Sequence, residues 1–338
     1  HNALAVGLEK EMWINTPQLI HSLGGVPMNN ELAKPNDLIV NRISVGRTTA
    51  LCPRSGVRLR LINLEPKHRK QLHSSLLNLS EDRFEEFVGN DQIDKSHAAR
   101  KLNEFSNWLD TRNGKPFTAI IDGANIGYYM QNFDKGCFNF YQIQFLVDAL
   151  ESMGENPLVI LPFKYLLNSF GIMNGTNYRA QHVSPDERNI LNNLLDKGQL
   201  YRVPARCLDD FYWMLASVSD QTVSRNGIDI DVKPDSVDGK WPGARPMLIS
   251  NDQMRDHKLG LLEPRLFRRW MSCYIVNYSF TAFVGKESAD KEISFSTADI
   301  FSREIQCNQT NDGNAWHFPV RDWALDDRLC IRIPRKKT

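Results

Sequence analysis

The sequence predicts an α/β protein, a parallel sheet flanked by helices, with a small β-rich portion drawn from two separated stretches of chain. Three observations lead there. Four short apolar runs, at 117–121, 157–161, 246–250 and 274–278, have the length and composition of strands buried on both faces. Helix-length segments lie between them at 141–152, 184–197 and 210–218, the alternation that builds a parallel sheet covered by helices. Outside this core, the stretches near residue 57 and beyond residue 301 read as short strands with period-two patterning.

Taken in order, residues 1–45 carry the breakers Pro17, Gly24, Gly25, Pro27 and Pro35 and read as a linker or the end of an upstream region. His1 in place of Met fits a fragment or processed form. Next, Val57, Leu59 and Leu61 share one face of a ribbon and Arg58 and Arg60 the other, preceded by a turn around Cys52. Residues 66–110 read as helices with apolar faces at Leu72, Leu76, Leu77 and Phe84, then Leu102, Phe105 and Leu109. Ser80 with Arg83, Phe84 and Glu85 suggests a fresh N-terminus. The Asp-, Ser-, Gly- and Pro-rich stretch 219–245 reads as a surface insertion. Pro264 opens a helix that turns Leu266, Phe267 and Trp270 inward and Arg265, Arg268 and Arg269 outward, to solvent or to phosphate. The end carries Trp316, His317, Phe318 and Cys330 and a basic tail at Arg335, Lys336 and Lys337.

Composition excludes several classes. No continuous apolar stretch is long enough to span a bilayer. Lys plus Arg number 41 against 40 Asp plus Glu, so any nucleic-acid attraction must come from local basic patches or bound metal, not from a global field. Six cysteines in 338 residues are too sparse for a disulfide scaffold and favour a reducing compartment or a metal site. Of these, Cys137, Cys207, Cys273 and Cys307 read as ordinary buried or semi-buried thiols.

Three motifs carry chemistry. Asp122-Gly123-Ala124-Asn125 directly follows the first strand, where open α/β sheets collect ligands. Asp209 and Asp210 start a helix whose Phe211, Met214, Leu215 and Val218 face the core. Asp252 follows the third strand, with Asp256 one helical turn on. Carboxylates clustered at one sheet edge suit phosphodiester hydrolysis. Two Mg²⁺ ions steady the attacking and leaving oxygens, and like charges so close repel without a cation. Asp at a helix start is also a common cap, stabilising by about 1 kcal/mol. Taken singly, Asp209, Asp210 and Asp252 admit that reading; the four mapping to one edge favour the catalytic one. Tyr128 and Tyr129 offer either stacking on an unpaired base or packing on the sheet.

These motifs, in this order, resemble the nuclease domain of the protein-only ribonuclease P (PRORP) family, over about residues 51–333. The resemblance implies a PIN-like (NYN) metallonuclease domain at 66–300 and a bipartite zinc-ribbon-like central domain at 46–65 and 301–338. It implies an endoribonuclease that removes the 5′ leader of precursor tRNA, with two Mg²⁺ (or Mn²⁺) ions on Asp122, Asp209, Asp210 and Asp252. Asn125, Arg255, Asp256 and His257 would support them. His257 would contact phosphate, move a proton, cap or pack; Arg255 would pair with an Asp or a phosphate. Structural zinc is implied on Cys52, His317 and Cys330. Ser55 stands where the family has the second Cys of its early pair, the fourth ligand, so the site either holds zinc through three protein ligands or persists by packing around Trp316. The family implies an upstream pentatricopeptide-repeat region, protein partners in some members, and a mitochondrial setting, with nucleus or plastid as alternatives. Two other readings remain: a nuclease of this type acting on other RNAs, and an inactive RNA-binding scaffold.

Overall fold

All four apolar runs fold as strands of one sheet. The computed structural model describes residues 39–82, 95–131, 136–174, 177–221, 232–237, 239–253, 264–281, 283–288, 292–296, 305–320 and 326–334. In chain order, β1 (Ile39–Ser44) precedes α1 (Pro66–Asp82) and α2 (Lys95–Thr111). Then come β2 (Ala119–Asp122), the short α3 (Gly123–Gly127), α4 (Phe140–Ser152) and β3 (Pro157–Pro162). A hairpin of β4 (Ser169–Asn174) and β5 (Asn177–His182) leads to α5 (Pro185–Asp196), β6 (Leu200–Val203), α6 (Asp209–Val218), β7 (Met247–Ile249), α7 (Pro264–Tyr274) and β8 (Ile275–Phe280). The rest is strand: β9 (Phe283–Val284), β10 (Glu287–Ser288), β11 (Ile293–Ser296), β12 (Gln306–Thr310), β13 (Gly313–Pro319) and β14 (Asp327–Pro334).

The chain divides into two units. The larger, Asn63–Val232 with Gly243–Ala298, holds a six-stranded sheet in the order β11-β8-β7-β2-β3-β6. Its other five strands, β8 through β6, are parallel, and β11 closes one edge antiparallel to β8. Ile121 pairs with Val159 on one side and Ile249 on the other, and all three are fully buried, as strands covered on both faces require. Leu72 and Leu76 of α1, and Leu102, Phe105 and Leu109 of α2, are buried as their spacing predicts. On α7, Leu266, Phe267 and Trp270 are buried and Arg268 is exposed; the indole N–H of Trp270 donates to Ser217 Oγ at 2.8 Å. Arg265's side chain lies outside the described residues.

Several expectations are corrected here. Ser80 lies inside α1, which runs on to Asp82, so it starts no new helix; residues 83–85 lie outside the described residues. The edge strands β6 and β11 and the β4–β5 hairpin escape the sequence reading because they alternate with polar residues and lack an apolar run. The stretch 219–245 is not wholly surface. Ser219, Gln221 and Arg245 are buried, and the Gln221 amide brackets the Phe117 backbone, accepting its N–H at 2.8 Å and donating to its carbonyl at 3.3 Å. Residues 222–231 lie outside the described residues.

The smaller unit, His1–Ile62 with Lys233–Pro242 and Asp299–Thr338, is built on an antiparallel sheet, β1-β14-β13-β12. Residues 39–44, irregular in the sequence reading, form β1 and pair along their whole length with β14. Arg42 bonds Asp327 at 2.6 Å to hold the register. The expected ribbon at 57–61 forms no continuous strand; a turn at 53–55 is closed by the isolated bridge Leu51↔Arg58, although Leu59 is buried and Arg58 and Arg60 are exposed as the alternation predicts. One face of this unit packs Ile43, Val45, Ala50, Leu59 and the two thiols Cys52 and Cys330; the other packs Phe318, Leu329 and Ile331.

Candidate active site and metal centre

Parallel strands bring the carboxylates together. Asp122 ends the central strand β2, while Ser250 and Asp252 follow the neighbouring β7, and Asp209 and Asp210 open α6 just after β6. All lie beyond the carboxyl ends of the strands. Asp122 is buried and N-caps α3, its Oδ1 accepting the Asn125 N–H at 3.1 Å. Gly123 is required at the bend: a Cβ there would meet the Ile160 carbonyl oxygen at 2.8 Å. The cap of α6, by contrast, is Leu208, with no side-chain capping bond. Asp209 and Asp210 thus lie within the first turn, where the helix dipole favours negative charge.

A polar network fixes this edge. Ser250 Oγ donates to Asp122 Oδ2 at 2.8 Å and accepts the Asp252 N–H at 3.0 Å, linking the Asp122 carboxylate to the backbone that carries Asp252. Asn125 Oδ1 accepts the Asn251 N–H at 3.1 Å and the Tyr278 hydroxyl at 2.7 Å. Asn251 and Tyr278 exchange two further bonds, at 2.9 and 3.1 Å. Burial, then the charge of Asp209, pushes Asp122 up to about 8, against the hydrogen bonds from Asn125 and Ser250. Burial and the charge of Asp210 push Asp209 up to about 6; Lys164, on the turn after β3, pulls the other way. The hydroxyl of Tyr278 is raised by burial and by Asp122. Among the described residues the raised Asp122 and Asp209 mark clustered negative charge, and the all-oxygen donor set suits a hard divalent cation.

Of the supporting residues expected from the motifs, Asn125 joins this network; Arg255, Asp256 and His257 lie outside the described residues. The basic tail at Arg335–Lys337 does so too. Tyr128 and Tyr129 both engage neighbouring rings, Tyr128 edge-on to Phe138 and Tyr165, and Tyr129 against Tyr278 and Phe280. The sequence reading missed Ser250, Tyr278 and Lys164. A rule that every residue just past a strand is a candidate would have found Ser250 and Lys164; Tyr278 gives no such signal.

In the smaller unit, the turn after β1 brings Cys52 to His317 of β13 and Cys330 of β14. Their ligand atoms lie within 4.8 Å of one another, and all three residues are buried. Among the described residues this is the group that closes to that spacing; the aspartates stand wider apart. The two sulfurs are 3.9 Å apart and not joined. Contact with Cys330 pulls the Cys52 thiol down to about 3 and, with burial, holds the Cys330 thiol up, so one thiolate character is shared across the pair. His317 Nδ1 is buried with no hydrogen-bond partner. Two thiols and an imidazole so disposed fit a zinc-type donor set.

Fold and site together define an α/β protein with an acidic catalytic-type edge and a β-rich Cys/His unit. No family model matches the chain. The chain is similar to proteinaceous RNase P 2 of Arabidopsis thaliana, at 27% identity over 222 residues. It is also similar to that plant's proteinaceous RNase P 1, chloroplastic/mitochondrial, at 29% identity over 242 residues. These matches cover 65% and 70% of this chain but 33% of each relative, so the chain spans about a third of the length of the curated relatives it matches. The crystal structure of nuclear proteinaceous RNase P 2 from A. thaliana superposes with a TM-score of 0.57 at 25% identity, covering 87% of this chain and 49% of that one. Both comparisons bear out the resemblance to the protein-only RNase P family and the α/β fold with its β-rich addition.

Proposed function

We propose that this chain carries the catalytic part of a metal-dependent endoribonuclease that removes the 5′ leader of precursor tRNA, as its resemblance to the protein-only ribonuclease P family implies. The observation that supports it best is the convergence of Asp122, Asp209, Asp210 and Asp252 at one sheet edge. There Asp122 and Asp209 hold protons far more tightly than carboxylates do in water. These four residues would hold two Mg²⁺ or Mn²⁺ ions, which when bound supply charge neutralisation at the scissile phosphate and activation of water. Asn125, Ser250 and Tyr278 orient the carboxylates, and Arg255, Asp256 and His257 complete the support. Cys52, His317 and Cys330 would hold a structural zinc ion, and the natural setting is mitochondrial. Among the described residues no helix is long and apolar enough to cross a membrane.

The test is cleavage of a 5′-extended precursor tRNA, mapped to the nucleotide, with Mg²⁺ and with EDTA. A single Mg²⁺-dependent cut at the mature 5′ end is expected. Equal cutting of unstructured RNA would replace the substrate assignment with a less selective nuclease. Asp252→Asn should lose cleavage by about a hundredfold or more while the fold is retained; full activity in that variant would sink the site assignment.

A further inference from the structure

We propose that Ser55 Oγ is the fourth ligand of the zinc centre, so that this chain holds its ion through two thiolates, one imidazole and one hydroxyl. The inference rests on the zinc reading above and extends it to the coordination shell. Two distances carry it. Sulfurs about 2.3 Å from a shared tetrahedral zinc ion stand about 3.8 Å apart; Cys52 Sγ and Cys330 Sγ are 3.9 Å apart. An imidazole nitrogen and an oxygen, each about 2.0–2.1 Å from the same ion, stand about 3.3 Å apart; His317 Nε2 and Ser55 Oγ are 3.3 Å apart. Two opposite edges of one tetrahedron are therefore already at the lengths a zinc ion would set.

The local backbone holds Ser55 to this task. Its own N–H donates to Cys52 Sγ at 3.4 Å, and the Val57 N–H donates to Ser55 Oγ at 3.3 Å. Gly56 between them takes φ +67°, a conformation that costs a side-chain-bearing residue and permits the tight reversal. An N–H aimed at the serine oxygen favours the negative character that a cation draws onto a bound hydroxyl. A serine that merely replaced a lost ligand would be free to turn to solvent; this one faces the imidazole. A hydroxyl is a harder and weaker donor to zinc than a thiolate, so the ion is held less tightly than by three thiolates and one imidazole, and it exchanges faster.

The experiment measures zinc content, release to a competing chelator and zinc-edge X-ray absorption. It uses the whole chain with excess Mg²⁺ to occupy the carboxylates. One zinc per chain is expected, with two sulfur and two nitrogen or oxygen neighbours. Ser55→Ala should release zinc about tenfold or more faster, and Ser55→Cys should hold it about tenfold or more tighter with three sulfur neighbours. A Ser55→Ala chain that keeps zinc as firmly as the parent overturns the serine ligand. So does a Ser55→Cys chain that binds zinc where the parent binds none, which leaves the zinc-type site intact. Absence of zinc from both the parent and Ser55→Cys overturns the zinc reading itself.

Discussion

Ser250 is one hydroxyl serving one carboxylate and one backbone amide: it gives its proton to Asp122 and takes the Asp252 N–H. Removing it leaves a buried carboxylate and a backbone donor short of partners, which costs about 1–3 kcal/mol, and frees Asp122 to rotate. Ser250→Ala should therefore raise the Mg²⁺ concentration needed for half-maximal cleavage by about 10–100-fold; a Mg²⁺ titration with an unchanged midpoint would show that Ser250 only packs. The raised carboxylates make a second prediction. An unfolded aspartate releases its proton near 3.8, whereas folded Asp122 and Asp209 do so near 8 and 6. Between those values the folded chain binds more protons at these two sites than the unfolded one, so their contribution to stability is fullest below about pH 4 and is lost as pH rises towards 8. The slope is about 1.4 kcal/mol per pH unit for each proton so held. In EDTA the melting temperature should drop from pH 5 to pH 8, and Asp122→Asn should flatten that drop; an equal slope in the variant would discard Asp122 as its source. At this scale the carboxylates were legible, because each follows a buried apolar run or opens a helix. Tyr278 was not: its hydroxyl meets Asn125 across 153 residues of chain, and on its own strand it is one more buried aromatic.

The elements were legible where burial is complete. The runs that became β2, β3 and β7 are apolar because both faces are covered, while β8 keeps an apolar start but exposes Asn277 and Ser279; α4 and α5 show an inward stripe, and α6 is buried all round from Phe211 to Val218. At the edges of the two sheets the constraint relaxes, and β6, β11 and β1 are short, mix apolar with polar residues and lack the continuous apolar run that marked the buried strands. The opposite end of the sheet from the aspartates shows another limit. Glu155 precedes β3, Arg245 precedes β7, and the two form an ion pair at 3.1 Å with both side chains 2% exposed. Nothing in either sequence neighbourhood marks the other as partner. Removing one member of such a pair strands a buried charge, at a cost of about 3–5 kcal/mol, while replacing both with apolar residues of similar volume is close to neutral. Glu155→Leu should thus unfold at markedly lower denaturant concentration, and Glu155→Leu with Arg245→Met should recover most of the loss. If the double variant is no more stable than the single, the pair is not coupled as its geometry indicates.

The two units differ in what their cores supply, and this sets how the molecule should melt. The larger encloses a six-stranded sheet between helices, with dozens of fully buried apolar side chains. The smaller gathers three distant pieces of chain, 39–62, 233–242 and 305–334, around two small clusters, and two of the side chains in its tighter cluster are the thiols Cys52 and Cys330. A unit this small buries too little apolar surface to offset the ordering of its backbone without a further staple, and a structural ion is one of the few available. Metal binding to the folded form alone then adds directly to stability. Calorimetry of the whole chain should accordingly show a lower-temperature transition that shifts down, or vanishes, when a zinc-selective chelator is added. The main transition should stay in place and respond instead to Mg²⁺. The carboxylate edge lies in the larger unit and the thiols in the smaller, so each ion should move its own transition. A single transition insensitive to the zinc chelator would mean that the β-rich unit stands on its two small clusters alone. If Mg²⁺ moved the lower transition and zinc removal the upper, the assignment of the two ions to the two units would be reversed.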